Sequence, residues 1–245
     1  TRKESSAASD VYKRQPQFIG TLTEVRAGKA DLFTREKLSA INKYPIKEPV
    51  AVNYMGLLTD EQADRKHHGG HLKALHQMST VTYAKINAQF DLNVSIGALG
   101  ENLTVTTDGQ PMSEANVCIG DVYLFGEIGR YGDDDNNSVK LKIVQPRRPC
   151  YKIDDQVQQY GVASFLTDIG GAGWYFKVVQ DGELIQGLPV YLVERPYPFA
   201  DLATLWQLAN QKGNLDSETV DKWLAIDCLE DSWKKVLAKK RLSSD

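Results

Sequence analysis

The sequence predicts a mainly β protein with some α: a β-barrel or sandwich with helices set into it, followed by a group of three helices. Three observations predict this. Short extended runs bounded by turn residues recur from about residue 18 to 195, which is the texture of an antiparallel barrel or sandwich. Two helical patterns, roughly 71–90 and 156–168, interrupt those runs. After Arg195 the pattern turns helical and stays so.

The first stretch, TRKESSAASDVYKRQ, is charged and rich in small residues, without the apolar core of a secretory signal. Residues 1–17 therefore read as a disordered or non-native leader. Within 18–195, LTVTT–DG–QPM and YFKVVQ–DG–ELIQ (175–186) each place Asp-Gly between extended runs, the dipeptide of a tight hairpin turn. VYLFGEI, KLKIVQ (140–145) and LPVYLVE (188–194) read as further strands, and KLKI alternates as a half-buried strand does. The acidic DDDNN (133–137) reads as a solvated hairpin tip. PYP (196–198) suits neither ladder nor helix and marks a linker. Beyond it lie FADLATLWQLANQ, then DSETVDKWLAI with Asp216-Ser217 as N-cap types, then LEDSWKKVLAKKRL with Trp233, Val236 and Leu237 on one face. Trp206, Trp223 and Trp233 fall one per helix, which suits core packing. So small a unit is expected to dock on the barrel or on a partner.

Composition narrows the function classes. The formal net charge of a 245-residue chain is -3, so neither nucleic acid nor an anionic membrane is an expected partner. Any anion site must come from local basic clusters. No run approaches the ~18–20 apolar residues of a membrane span. Cys118, Cys150 and Cys228 form neither CxxC nor a disulfide framework, and a cytoplasmic location is expected.

The sharpest local feature is Gln145-Pro-Arg-Arg-Pro-Cys150-Tyr-Lys152. Two prolines stiffen the loop that presents the cysteine. Cationic neighbours are the setting in which cysteine acts as thiolate, the form that binds metal or attacks an electrophile. Arg147 and Arg148 also suit a phosphate. A half-buried cysteine in an arginine-rich loop is the competing reading. The second feature is Asp64-Arg-Lys-His67-His68-Gly69-Gly70-His71, expected to enter a helix near Leu72 whose free amides would face an anion. Zinc bound by His67 and His71, or a plain turn with surface histidines, are the alternatives. Two weaker features are the glycine-flanked turn presenting Glu101 and Asn102, and Lys43 before Pro45.

In order, SAINK with Pro45, GLLTDEQADRKHHGG followed by KAL, GALGENL, NVCIGD and QPRRPCYKI resemble the MOSC family, named for the C-terminal domain of molybdenum-cofactor sulfurase. Its YiiM-type members are the nearer resemblance, covering about residues 18–242. Departures are Gly56-Leu-Leu-Thr-Asp60, where members often read GLxGD, and His68-Gly-Gly-His-Leu-Lys-Ala74, where they often read HGGPDKA. The resemblance implies a MOSC β-barrel with flanking helices over 18–195 and a three-helix C-terminal domain over 196–245. It implies a molybdenum cofactor (molybdopterin) at the barrel mouth, with Cys150 as the metal ligand. Lys43, His68, Gly69, Gly70, Glu101, Asn102, Arg147 and Arg148 are then expected around the cofactor. The implied activity is reduction of hydroxylaminopurines and other hydroxylamines to amines, with electrons from a flavin reductase, because the chain carries no flavin or iron–sulfur motif. A non-catalytic cofactor carrier or storage module, and a sulfur carrier using a Cys150 persulfide, are the alternatives. Whether the barrel forms a homodimer is left open.

Overall fold

The computed structural model describes residues 15–63, 69–129 and 137–242. The leader to residue 14, His67 and His68, and most of the acidic insert lie outside the described residues.

Seven strands form the barrel: β1 (Gln17–Ala27), β2 (Leu75–Gln77), β3 (Leu103–Thr107), β4 (Val122–Phe125), β5 (Val139–Pro146), β6 (Trp174–Gln180) and β7 (Pro189–Glu194). Their hydrogen-bonded order is β7-β4-β5-β6-β2-β3-β1, and β1 pairs again with β7 to close the ring. Closure leaves no long sheet edge to be protected. Leu141 faces Tyr123 in one ladder and Ile143 faces Phe176 in the next. The alternation of β5 is as the sequence predicts: Val139, Leu141 and Ile143 are fully buried while Lys140 and Lys142 are half-exposed. Each such large apolar side chain contributes about 1.5–3 kcal/mol by leaving water.

One pairing is parallel, β2 with β3 at Gln77 and Leu103. A parallel pair needs a crossover connection, and α1 (Thr80–Phe90) supplies it. This corrects the expected helix over 71–90. His71–Lys73 is a single 3₁₀ turn, Leu75–Gln77 is a barrel strand, and the α-helix begins at Thr80. Leu75, His76 and Gln77 are all buried, so strand pairing on both sides outweighs their local helical spacing. No α-helix therefore starts beside Gly69-Gly70; only the single 3₁₀ turn follows Gly70.

Three further expectations change. Asp108-Gly109 joins no hairpin: Leu103–Thr107 pairs with β1 and β2, and no strand follows it before β4. After β6 the chain does not turn back as a hairpin. Gly182–Leu184 leaves the barrel and pairs with Val50–Asn53, which also pairs with Gly56–Leu57. The helix expected over 156–168 is two: α2 (Lys152–Val157) and α3 (Val162–Ile169), separated where Gln158 and Gly161 take positive φ.

The three C-terminal helices are α4 (Leu202–Asn210), α5 (Ser217–Leu224) and α6 (Asp231–Ala238). Asp201 and Asp216 cap the first two by accepting from Thr204 N and Thr219 N. Leu205, Trp206, Trp223 and Trp233 join one apolar cluster with barrel residues such as Leu141 and Phe176. The Trp206 and Trp233 rings lie 5.6 Å apart. Trp206 Nε1 donates to Thr167 O of α3, and Glu230 N donates to Val144 O of β5. Among the described residues no helix is long and apolar enough to cross a membrane.

Candidate active site

A cleft open to solvent lies where β2, the turn before β3 and the segment after β5 converge. Lys43, Asn102, Arg147 and Cys150 line it together. So do Asp60, Lys73, His76, Lys152 and Tyr175. Four of these are cations, facing two carboxylates, Asp60 and Glu61. The wall thus presents one half-buried thiol inside an excess of positive charge.

Asp60 organises one side. Its Oδ1 accepts from Lys43 Nζ at 2.5 Å and from Gly28 N at 2.7 Å, and its Oδ2 accepts from Asn102 Nδ2 at 2.9 Å. Burial pulls the Lys43 ammonium down from its ordinary range, and the Asp60 carboxylate opposes that pull. Asn102 has little left to offer a ligand. Its second amide proton goes to Arg26 O, and its Oδ1 accepts from His76 N. It braces the cleft where the resemblance implies a cofactor contact.

Glu101 lies behind the wall. It is 1% exposed, both carboxylate oxygens accept from Tyr83 OH, and Oε1 also accepts from Gly97 N. Burial, with Glu101 beside it, pushes the Tyr83 hydroxyl far up, so the phenol stays a donor. The network shapes the 97–101 turn, and that turn aims Leu99 O at Arg147 Nη1 at 2.8 Å. Glu101 therefore positions Arg147 without lining the cleft.

The paired arginines part company. Arg147 lines the cleft, while Arg148 stacks on the Trp233 ring at 4.1 Å and donates to Ser232 Oγ at 3.2 Å. Adjacent residues of an extended segment point to opposite sides. Replacing Arg148 by alanine is expected to cost about 0.5–1 kcal/mol of stability and leave anion binding in the cleft unchanged. Arg147→Ala is expected to weaken sulfate binding by about tenfold or more. Thermal unfolding and sulfate titration of both variants check the pair, and equal effects on sulfate would contradict it.

Gly69 and Gly70 do not line the cleft; Gly70 takes φ 91° and its amide donates to Gln62 Oε1, on the rim.

A sequence model of the MOSC domain matches residues 64–191. The chain belongs to the MOSC domain family. Along nearly its whole length it is similar to Protein YiiM of Escherichia coli (strain K12), at 29% identity over 226 residues, 90% of this chain and 92% of YiiM. It is 33% identical over 234 residues to a protein named Reductase of Gibberella moniliformis (strain M3125 / FGSC 7600), covering 92% of this chain. The chain spans only 38% of that relative's length. The crystal structure of YiiM from Geobacillus stearothermophilus shares the fold, with TM-score 0.67, 23% identity, and coverage of 90% of this chain and 98% of that one.

Sequence reasoning about the MOSC domain missed Asp60, His76 and Tyr175 as cleft residues. Asp60 sits in GLLTDEQ beside Glu61, where an acid among surface-like neighbours carries no signal. His76 lies in the run whose spacing predicts a helix and which forms β2. Tyr175 belongs to YFKVVQ, which reads only as an extended run. Its ring lies 5.2 Å from that of His76, and burial pushes its hydroxyl up.

The residues present fit a molybdenum cofactor. A thiolate is a soft donor suited to molybdenum, and Lys43, Lys73, Arg147 and Lys152, brought to the same cleft wall, suit an anionic group.

Proposed function

We propose that this MOSC-family chain is a molybdenum-cofactor-dependent reductase of N-hydroxylated compounds, hydroxylaminopurines and other hydroxylamines, which it converts to amines. One observation carries the reading furthest: Cys150 shares a single cleft with Lys43, Lys73, Arg147 and Lys152. When bound, the cofactor supplies two-electron chemistry at an oxygen-accepting metal. Overall the N–O bond breaks, the nitrogen ends as an amine, the oxygen leaves as water, and two electrons and two protons are consumed. A flavin reductase is the proposed electron donor.

The chain's own residues do the rest. Cys150 contributes the thiolate ligand from a loop held between Pro146 and Pro149. Arg147, aimed by Leu99 O, and Lys43, aimed by Asp60, hold the anionic part of the cofactor. Lys152, whose Nζ donates to Leu38 O, closes the wall beside Cys150. The open side of the cleft admits substrate. The relative named a reductase supports the reductive class.

The test is expression in a host that makes the cofactor, followed by molybdenum and pterin assay and turnover of a hydroxylamine with an artificial reductant. Metal, pterin and amine product together are expected. Cofactor without turnover would make the chain a carrier, and neither metal nor pterin would sink the reading altogether.

A further inference from the structure

His76 is the one imidazole seen in the cleft wall among the described residues, and its surroundings pull it two ways. It is 4% exposed. Nε2 lies 3.1 Å from Ala172 O, so this nitrogen carries a hydrogen and donates. The Gly100 backbone also favours the charged form of the ring. A neutral imidazole owns a single N–H, so two backbone partners around it favour the charged form with two. Behind the Ala172 carbonyl stands a carboxylate: Glu114 Oε1 accepts from Gly173 N at 2.8 Å, across the peptide whose oxygen His76 meets. Burial pushes the Glu114 carboxyl up from its ordinary range, and the Gly173 amide opposes that rise; in its charged form Glu114 polarises the peptide toward the imidazole.

Against this stand burial and the cleft cations. Arg147 faces the ring from the segment after β5, and Lys43, paired with Asp60, faces it from the other wall. Tyr175 on β6, with its hydroxyl held neutral by burial, covers one face. Burial first, then these positive charges, hold the imidazole well below its ordinary range, so His76 is neutral while the cleft holds no anion.

We propose that His76 takes up a proton when an anion enters the cleft, so that anion binding and protonation of the imidazole are one coupled event. The anion offsets Arg147 and Lys43, and the two backbone partners, with Glu114 behind, hold the second N–H. In the reduction proposed above, this stores one of the two protons consumed at the wall of the cleft. Glu114 is a positioning residue in this scheme. The inference rests on that reading only in taking the cleft as an anion site.

Sulfate is the probe, because its charge is constant between pH 5 and 8. In a full-length variant carrying His67→Asn, His68→Asn and His71→Asn, His76 is the sole imidazole, and its ring nitrogens are followed by NMR from pH 5 to 8. Without sulfate the ring is expected to stay neutral across the range. With saturating sulfate it is expected to titrate within the range, and sulfate should bind up to about tenfold tighter per pH unit lowered there. The sign follows from linkage: the bound state holds more protons than the free state, so low pH favours binding. Glu114→Gln should narrow the sulfate-induced change while leaving sulfate bound. An unchanged His76 signal, or no sulfate binding at 50-fold excess over a millimolar protein sample (about 50 mM), overturns the proposal. Since no molybdenum is involved, a negative result here leaves the reductase reading standing, and absent cofactor there leaves this one standing.

Discussion

Cys150→Ser is expected to reduce retained molybdenum by about 100-fold or more, since even residues that only support metal ligands are worth 10–100-fold. Hydroxylamine turnover should fall with it. The oxygen of serine is a harder donor than a thiolate and a poor match for a metal that prefers sulfur. Stability should hardly move. Cys150 is half-buried, and its structural bond, Ile153 N donating to Cys150 O at the start of α2, belongs to the backbone and survives the change. The other cysteines are internal controls. Burial, with Asp121 nearby, pushes the Cys118 thiol up to about 11, and its Sγ faces Pro198 O. Burial also pushes up Cys228, on the segment between α5 and α6. Neither lines the cleft. Cys118→Ser and Cys228→Ser should therefore keep their metal. Full molybdenum and activity in Cys150→Ser would refute the ligand assignment, and metal loss in all three variants would point to general damage.

How far the site was legible follows from the range over which each signal acts. The loop 145–150 announces itself locally, because prolines, arginines and a thiol in six residues constrain one another whatever the fold. What it does not announce is the split between Arg147 and Arg148, which depends on α6 arriving from some eighty residues later to offer Trp233 and Ser232. The three C-terminal helices are legible for the same reason as the loop: caps and apolar spacing act within a few residues. β2 is the opposite case. Leu75, His76 and Gln77 have no strand signature of their own and become strand because β6 and β3 flank them. A parallel neighbour joined through a helix leaves no turn dipeptide to read. Asp181-Gly182 shows the limit from the other side. The dipeptide is the right type for a hairpin, yet Val50–Asn53 outcompetes β6 as the partner of Gly182–Leu184. Glu101 and Asp60 are acids whose roles are set by which partner is buried with them. Tyr83 and Gly97 draw the first behind the wall, and Lys43 draws the second into it.

The Lys43–Asp60 pair carries the other large expectation. Asp60→Ala should destabilise the protein by about 3–5 kcal/mol at pH 7, because removing one partner leaves a buried charge uncompensated. The side chains of Lys43 and Asp60 are 8% and 10% exposed, so water cannot replace the lost carboxylate. Gly28 N and Asn102 Nδ2 lose their acceptor at the same time. Lys43 responds by losing its proton more readily. Burial already lowers it, and the Asp60 carboxylate is the strongest charge opposing that fall. The folded variant then binds fewer protons than the unfolded chain, so its stability rises with pH as the unfolded lysine approaches its own titration near 10.4. The gap from the unmodified protein should therefore narrow between about pH 8 and 10. Urea unfolding at several pH values measures this. Lys43→Met together with Asp60→Ala should recover much of the loss, since no unpaired charge remains buried, while sulfate binding stays weak because a cleft cation is gone. A single Asp60→Ala variant within about 1 kcal/mol of the unmodified protein would mean that the pair is not buried as described, and that Lys43 is not held in place for an anion by Asp60.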